Sequence, residues 1–312
     1  MEGSEDYWEV NKSMLIVGDS SNKDLSEGIA KNTGFEIIYP EITVFPDSEQ
    51  RVRINREIAG EKVFLIKSIV SPVDSAVIQL TFLVDALNKN GADKVIGIIP
   101  YIPYMRADHI FRTGEAVPLE VVIKMIQDSG LNEIIMVDPH SVKIPELFSI
   151  TVHDLSALSL FAKKIREIEP DKKNVTIVSP DMGGIRRLDL LDEMLGGVNK
   201  VVINKDRDYQ TGAVKVAEFQ GEIKGKCFIV DDIISTGKTI VQAVETLVQN
   251  KADEVYVFGT HPVFSENANE ILESSKAKKI YVTDSIPVPT EKKFDKLRVI
   301  SISEIVAKAI TG

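Results

Sequence analysis

The sequence contains very little cysteine, tryptophan or histidine, and it has no long hydrophobic run. Among 312 residues there are one cysteine (Cys227), one tryptophan and four histidines. A single cysteine excludes a disulfide framework and a cysteine-rich zinc site. The apolar stretches are interrupted by charge and fall short of the roughly 18–20 residues of a spanning helix. The first residues, MEGSEDYWEVNK, are too polar for a secretory signal, so we expect a cytoplasmic protein that does not contact a membrane.

Basic residues are also scarce relative to acidic ones. The chain has 37 Lys and Arg against 47 Asp and Glu, a formal net charge of −10 and a pI of about 5.1. A nucleic-acid-binding surface needs clustered Lys and Arg, and the sequence has no basic run longer than a few residues. Nucleic acid is therefore excluded as an expected partner. Any anionic ligand must be bound locally, by backbone amides, metal ions and a few placed cationic side chains.

Short β-branched runs alternate with helix-length segments along almost the whole chain. This alternation predicts an α/β protein in which helices cover parallel sheets. About a dozen strands are too many for one ordinary sheet, so we expect two tandem doubly wound parallel-sheet domains. The predicted strands are 14–18, 35–39, 62–67, 94–100, 133–138, 175–180, 200–204, 226–232, 254–259, 279–284 and 298–302, and the clearest helices are 74–90, 119–129, 155–167, 238–250 and 266–274.

An internal repeat supports the division into two domains. The segments LNKNGADKV (87–95) and LVQNKADEV (247–255) share Leu, Asn, Ala, Asp and Val at matching positions, and the match extends back to 62–79 and 226–242. Ser68 and Ile69 of the first copy stand about where the second has Asp231 and Asp232. We therefore predict an N-terminal domain over 1–150 and a C-terminal domain over 151–312, with the acid-based chemistry in the second.

The segment FIVDDIISTGKTI (228–240) is the strongest candidate for a ligand site. A strand ending in Asp231 and Asp232 leads into a Ser-Thr-Gly-Lys-Thr turn that opens a helix, where free amides bind phosphate. An NTPase phosphate loop is excluded, because its first glycine would fall on Asp232. Two carboxylates before a monophosphate cradle suit a sugar phosphate, because they can bind vicinal hydroxyls or Mg²⁺. The predicted cradle is Ser235, Thr236, Gly237, Lys238 and Thr239.

Other segments carry weaker signals that allow an ordinary structural interpretation as well. VDPHS places Asp138 and His140 at a strand end, but they could be a capping aspartate and a solvated histidine. Arg106 has the forked geometry that suits phosphate, yet it could be a plain surface arginine. His261 is either a sugar-pocket residue or a structural one.

The order of these segments is similar to that in one enzyme family. Residues 228–240 resemble the phosphoribosyl-diphosphate motif of type I phosphoribosyltransferases and their pyrophosphokinase relatives. FPDSEQRVRI (45–54), PYIPYMRADHIFRTGEAV (100–117), VDPHS (137–141), VSPDMGG (178–184) and INKDR (203–207) occur in the order found in ribose-phosphate pyrophosphokinases. The resemblance covers roughly residues 13–310, and the GEAV loop is most similar to archaeal-type members. It implies phosphoribosyltransferase-type domains and transfer of the β,γ-pyrophosphate of ATP to ribose 5-phosphate.

The resemblance also implies roles for individual residues. Ribose 5-phosphate would lie on Asp231, Asp232 and the cradle 235–239. Lys205 and Arg207 would act as catalytic cations on a mobile loop, and Mg²⁺ would be held near His140 and Asp181. The implied ATP site consists of Phe45, Asp47, Glu49, Arg106, Asp108 and His140. The first three would come from a neighbouring subunit, so a homo-oligomer is expected, a dimer or a multiple of dimers.

Three departures from the family pattern bear on the nucleotide site. Ala107 replaces a glutamine that usually follows Arg106, Ser48 stands where glycine is common, and Pro139 replaces leucine before His140. The first change removes an amide contact to the nucleotide. Two rival functions stay open at this point, a phosphoribosyltransferase that joins a nucleobase to the activated sugar and a non-catalytic regulatory relative.

Overall fold

The computed structural model describes residues 14–110, 112–207 and 214–312, without the side chains of residues 204–207 and 214–219. The first part of the chain forms a sheet of six parallel strands, ordered second, first, fifth, sixth, seventh and eighth. Its elements are β1 (Met14–Val17), α1 (Lys23–Thr33), β2 (Glu36–Ile38), β5 (Lys62–Ile66), α2 (Val73–Lys89), β6 (Lys94–Ile98), α3 (Pro118–Asp128), β7 (Glu133–Val137) and β8 (Thr151–Leu155), with an antiparallel hairpin of β3 (Glu41–Val44) and β4 (Gln50–Arg53) before β5.

The second part forms a sheet of seven strands in which one edge strand is antiparallel. Its elements are α4 (Leu158–Ile168), β9 (Val175–Ser179), α5 (Ile185–Leu195), β10 (Asn199–Arg207), β11 (Val214–Gln220), β12 (Lys226–Ile234), α6 (Lys238–Gln249), β13 (Glu254–Pro262), α7 (Ala268–Ser274), β14 (Lys279–Thr283), β15 (Leu297–Ile300) and α8 (Ser303–Thr311). The order across the sheet is β11-β10-β9-β12-β13-β14-β15. The predicted fold class, two parallel-sheet α/β domains, is confirmed.

The two sheets repeat one topology. Their strand orders correspond position by position, β2-β1-β5-β6-β7-β8 with β10-β9-β12-β13-β14-β15. The repeated segments form the same strand–helix–strand unit in each sheet, β5-α2-β6 and β12-α6-β13. The internal repeat in the sequence is therefore also a structural repeat.

The hydrophobic core is arranged in layers that join the two sheets. Side chains alternate along a strand, so neighbouring residues of β1 and β12 enter different clusters. Ile16 and Phe228 enter one shared cluster that also contains buried residues of α1, α4, α5 and α8. Leu15 packs in a separate cluster with α2 and α3, and Ile229 packs in another with α6 and α7. One helical layer thus lies between the sheets and belongs to both.

The first sheet extends past the predicted boundary at residue 150. The strand β8 pairs in parallel with β7, from Glu133 opposite Thr151 to Val137 opposite Leu155. Its sequence, TVHDL, is short and polar, and that pattern is not typical of a buried strand. Pairing with only one neighbour at the sheet edge explains the polarity.

Candidate functional site

The loop after β12 forms the predicted cradle at the start of α6. Gly237 precedes the helix with φ 76°, a left-handed conformation that glycine adopts without strain. A Cβ at this position would lie 3.0 Å from Cγ of Leu272, so space also requires glycine here. The Ser235 hydroxyl pairs with that of Ser265 at 2.6 Å, which anchors the loop to the segment after β13. Free amides at the start of a helix attract an anion to this turn.

The two aspartates lie inside β12 and contact cationic groups from two other elements. Nη2 of Arg187, in α5, is 3.1 Å from Oδ1 of Asp232, and Nη1 is 3.5 Å from Oδ1 of Asp231. The His140 ring comes from the first domain, and its Nδ1 lies 2.6 Å from Oδ2 of Asp232. Buried carboxylates are costly unless paired. The negative charge of the two aspartates is therefore offset partly by Arg187 of their own domain and partly by His140 of the other domain.

Burial and these partners shift the ionisation of the site. Burial, reinforced by the charge of Asp232, raises the pKa of Asp231 well above its usual range. Burial also acts to raise the pKa of Asp232, but the hydrogen bond from His140 and the Arg187 guanidinium hold it below the usual range. The same hydrogen bond raises the pKa of His140. These shifts favour an ionised Asp232 carboxylate that is hydrogen-bonded to a protonated His140 imidazolium.

A cavity of about 390 Å³ brings together residues of both domains. Arg106 and His140 line it from the first domain, and Asp181 and Arg187 line it from the second. Asp231, Asp232, Ser235, Thr236, Gly237 and Thr239 complete its floor, together with Gly183 and Gly184. A Cβ at Gly184 would lie 2.2 Å from Oγ of Ser179, so a side chain does not fit there. The structure brings Arg106, His140, Asp181 and the sugar-phosphate residues predicted from sequence into one place, with the exception of Lys238.

Several predicted site residues lie away from this cavity. Lys238 pairs with Glu266 at the surface, at 3.6 Å, and Asp108 pairs with its neighbour His109. Phe45, Asp47 and Glu49 occupy the exposed turn of the β3–β4 hairpin, where the Arg51 guanidinium lies 5.6 Å from the Phe45 ring centroid. Lys205 and Arg207 belong to the end of β10, and their side chains fall outside the described residues.

Of the two interpretations left open for Asp138, its hydrogen bonds favour the capping one. The Asp138 carboxylate accepts hydrogen bonds from the Ser156 hydroxyl at 2.7 Å, the amide of Ala157 at 3.1 Å and the Thr260 hydroxyl at 2.7 Å. These bonds place its side chain between the domains. His261 is fully buried and bonded to protein atoms, so its structural interpretation is the correct one.

Arg187 was missed by sequence reasoning. It lies in the first turns of α5, shortly after the Asp-Met-Gly-Gly segment that had been singled out. An arginine one helical turn beyond a glycine-rich strand end would have been the signal. Its neighbour Arg186 offers the same signal, so the sequence alone does not say which one enters the site.

The cavity residues offer donors that suit Mg²⁺ without forming a complete metal site. Within the described ranges, no three His, Cys, Asp or Glu side chains are grouped closely enough to hold a metal ion by themselves. Asp181 lines the cavity, and its charge adds to the effects that raise the pKa of Asp231. Mg²⁺ is commonly held by one or two carboxylates together with water and substrate phosphates. This partial, oxygen-rich donor set fits such a shared site.

Comparison with known proteins identifies the family. A model described as the N-terminal domain of ribose phosphate pyrophosphokinase matches residues 14–130, and a phosphoribosyl synthetase-associated domain matches residues 213–312. The ribose-phosphate pyrophosphokinase of Aquifex aeolicus (strain VF5) is 37% identical over 297 residues, 95% of this chain and 94% of that protein. The chain belongs to the ribose-phosphate pyrophosphokinase family. The recognition made from the ordered motifs is confirmed, and with it the expectation of a transferase.

Two further similarities agree with this membership. The ribose-phosphate pyrophosphokinase of Fusobacterium nucleatum is 34% identical over 296 residues, 95% of this chain and 93% of that protein. The crystal structure of phosphoribosylpyrophosphate synthetase from Mycobacterium smegmatis matches with a TM-score of 0.87 and 28% identity, covering 96% of this chain and 97% of that one. The ribose-phosphate pyrophosphokinase fold thus extends over both domains. In the part of the chain that the structure describes, no helix is long and apolar enough to cross a membrane.

Proposed function

We propose that the chain transfers the β,γ-pyrophosphate of ATP to the anomeric hydroxyl of ribose 5-phosphate within the cavity between its domains. One observation carries this assignment: His140 of the first domain lies 2.6 Å from Asp232 of the second, in a cavity that also holds the phosphate cradle. Two ligands can therefore meet there, each held mainly by one domain.

Ribose 5-phosphate occupies the second-domain side. Its phosphate binds the turn at 235–239, and its ring hydroxyls donate to the buried acids Asp231 and Asp232. The size of the turn and the two acids before it favour a sugar phosphate over a polyphosphate. Lys238, which points to the surface, contributes its backbone amide to the helix start and not its ammonium group.

ATP occupies the first-domain side, with Arg106 on its phosphates and His140 beside it. Within one subunit the β3–β4 turn does not line the cavity, and Val44 and Phe45 expose large apolar surfaces on it. This exposure supports a homo-oligomer in which a neighbouring copy supplies Phe45, Asp47 and Glu49. Asp108 lies two residues beyond Arg106 and acts at the edge of this site.

Mg²⁺ is the proposed cofactor, held by Asp181, with His140 nearby, and by the substrate phosphates. When bound, it offsets the charge of the transferring group. Around it the chain positions the reactants: Asp231 and Asp232 fix the sugar, and Arg106 fixes the triphosphate. Lys205 and Arg207, at the end of β10, supply positive charge as the bond to AMP breaks.

The reaction needs no covalent enzyme intermediate. The anomeric oxygen forms a bond to the β-phosphorus, the bond from that phosphorus to the α,β-bridging oxygen breaks, and AMP leaves with the bridging oxygen. The anomeric hydroxyl gives up its proton to solvent. Since both substrates are charged and do not cross a membrane unaided, we assign the reaction to the cytoplasm.

Release of AMP in the presence and absence of ribose 5-phosphate tests the proposal. We expect AMP to form only when ribose 5-phosphate, ATP and Mg²⁺ are all present, in a 1:1 ratio to the sugar consumed. A phosphoribosyltransferase would instead consume phosphoribosyl diphosphate and a nucleobase without ATP. No turnover in either assay would show a non-catalytic relative.

A further inference from the structure

A buried polar cluster joins the two domains next to the cavity. Four side chains of the second domain, those of Thr260, His261, Thr283 and Ser285, are completely buried there. Thr260 and His261 are hydrogen-bonded to the end of β7 in the first domain, at Asp138 and Val137, and Thr283 and Ser285 are hydrogen-bonded to Thr260 and His261. None of the four lines the cavity, so the cluster takes no direct part in binding the proposed substrates.

The side chains of this cluster allow one assignment of hydrogen-bond directions that leaves each of them with a partner. Burial lowers the pKa of His261, so the ring is neutral and carries one proton. Nε2 of His261 lies 2.9 Å from the carbonyl oxygen of Val137, which can only accept, so the proton is on Nε2. Nδ1 then accepts the single hydroxyl proton of Ser285 at 2.9 Å, so Ser285 does not also donate to the Thr260 carbonyl oxygen, which lies 2.9 Å from its hydroxyl oxygen. That carbonyl accepts from the Thr283 hydroxyl at 2.7 Å. The cluster is a fully paired, specific junction.

The junction holds a strained turn that leads directly to His140. Asp138 has φ 40°, a left-handed conformation that is unfavourable for a residue with a side chain. Its amide donates to the Leu155 carbonyl at 2.9 Å, and its carboxylate accepts from three groups. Two of those three belong to the segment after β8. The third, the Thr260 hydroxyl, comes from the second domain.

Thr260 and Asp232 lie side by side on two hydrogen-bonded strands. They lie on the paired strands β13 and β12, between the registered pairs Asp231–Gly259 and Ile233–His261. The turn of the first domain is thus attached to this strand pair twice, through Asp138 to Thr260 and through His140 to Asp232. Two such points fix both the distance and the orientation of the turn.

We propose that Thr260 is a positioning residue, which holds the Asp138 turn so that His140 meets ATP at a fixed place beside the sugar site. Thr260 does not touch either substrate, and its effect passes through His140. The inference rests on the proposed function only for the assignment of ATP to His140.

The test is a double-mutant cycle of Thr260→Val with His140→Ala. Valine keeps the volume of threonine and removes the hydroxyl. We measure the Kd for α,β-methylene-ATP with Mg²⁺ by calorimetry, and kcat/KM for ATP. Thr260→Val should weaken binding and lower kcat/KM roughly 10- to 100-fold, the range found when a partner that orients a metal ligand is removed. In the His140→Ala background, Thr260→Val should weaken nucleotide binding less than about twofold, because the side chain through which Thr260 acts is already absent.

Two controls separate positioning from general stability. Thr260→Ser keeps the donor and should restore binding to within about threefold of the parent. Thr283→Val also removes one buried hydroxyl from the cluster but does not contact Asp138, so its effect on nucleotide binding should be small and independent of His140. If Thr260→Val does not fold, Asp138→Asn, which weakens the same bond from the other side, enters the cycle in its place.

Three results would overturn the inference. In the first, the losses of nucleotide affinity caused by Thr260→Val and His140→Ala simply add in the double variant. In the second, Thr283→Val weakens nucleotide binding as much as Thr260→Val does. In the third, Thr260→Val leaves nucleotide binding unchanged. The binding arm of the cycle does not depend on turnover. A parent protein that binds the nucleotide and shows this coupling but releases no AMP would therefore contradict the proposed function alone.

Discussion

Ala107 is the residue that departs most clearly from the family pattern at the nucleotide site. It lies half-buried beside the exposed Arg106, and its amide donates to the Tyr104 carbonyl at 2.7 Å. A glutamine at this position would extend an amide toward the nucleotide. The backbone already forms a turn here, so a longer side chain can be added without refolding it.

We predict that Ala107→Gln tightens ATP binding or increases the preference for ATP over GTP about fivefold, because one hydrogen bond is worth about 1 kcal/mol. Calorimetric titration with both nucleotides measures this. Ala107→Leu is the matched control, since it adds similar bulk without donors or acceptors. If glutamine and leucine behave alike, adenine is recognised elsewhere.

Lys205 is predicted to act on charge that develops during transfer. Lys205→Ala should then lower kcat about 10²- to 10³-fold and change KM little. Lys200→Ala is the control from the same strand, because Lys200 is paired with Asp189 and Asp192 away from the cavity. Steady-state kinetics of both variants measures kcat and KM. A kcat for Lys205→Ala within about threefold of the parent would rule out the catalytic role, and a raised KM alone would indicate ground-state binding.

The predicted site residues that line the cavity include those marked by a local sequence pattern. Asp231, Asp232 and the turn after them combine a strand end, paired acids and a helix start within a few positions. Arg187 and Asp138 show the limit of such reasoning. The partners of Arg187 lie on another strand, and those of Asp138 include Thr260 of the other domain, so their roles depend on tertiary contacts that no local pattern records.

The turn between β12 and α6 depends on the backbone of Gly237. An added Cβ would strain the left-handed conformation, which costs roughly 1–2 kcal/mol, and would press against Leu272 at 3.0 Å. We predict that Gly237→Ala weakens ribose 5-phosphate binding at least about tenfold, because the amides of the turn are displaced. Calorimetry measures the affinity.

Gly34→Ala is a matched control for this prediction. Gly34 ends α1 with φ 75°, and an added Cβ there would meet nothing within 4 Å. It therefore introduces the same backbone strain far from the cradle. It should lower the melting temperature and leave the affinity for ribose 5-phosphate intact. An equal loss of affinity in both variants would mean that general stability, and not the turn, controls binding.

Three strands that were not predicted from the sequence share a physical cause. The predicted strands are rich in Val and Ile because they are buried on both faces. β3, β4 and β8 are short and largely exposed, so they lack that composition and were not predicted as strands. β8 in particular shows why the boundary was placed at residue 150 although the first sheet continues to Leu155.

The helical layer between the sheets packs against both domains. Phe258 of the second sheet packs its ring 5.3 Å from that of Phe161 in this layer, and α8 at the end of the chain packs against α1 near its beginning. Unfolding one sheet alone would expose the hydrophobic layer that both sheets share, and this cost favours unfolding of the two domains together.

We predict a single thermal transition by differential scanning calorimetry. Phe258→Ala in the second domain should lower the stability by about 3–5 kcal/mol, and Leu83→Ala on α2 in the first by about 2–5 kcal/mol. Both variants should shift the same transition. Two separate transitions, each moved by only one of the variants, would show that the domains unfold independently.

The sugar and the nucleotide are proposed to occupy different sides of one cavity. Calorimetric titration of two variants with both ligands tests this assignment most directly. The affinities for ribose 5-phosphate and for α,β-methylene-ATP with Mg²⁺ are measured on Asp231→Ala and Arg106→Ala. Asp231→Ala should weaken ribose 5-phosphate binding about tenfold, on the order of one strong hydrogen bond, and change nucleotide binding less than threefold. Arg106→Ala should give the reverse. If each variant weakens both ligands equally, or if the pattern is inverted, the sugar and the nucleotide do not occupy the sides of the cavity assigned to them.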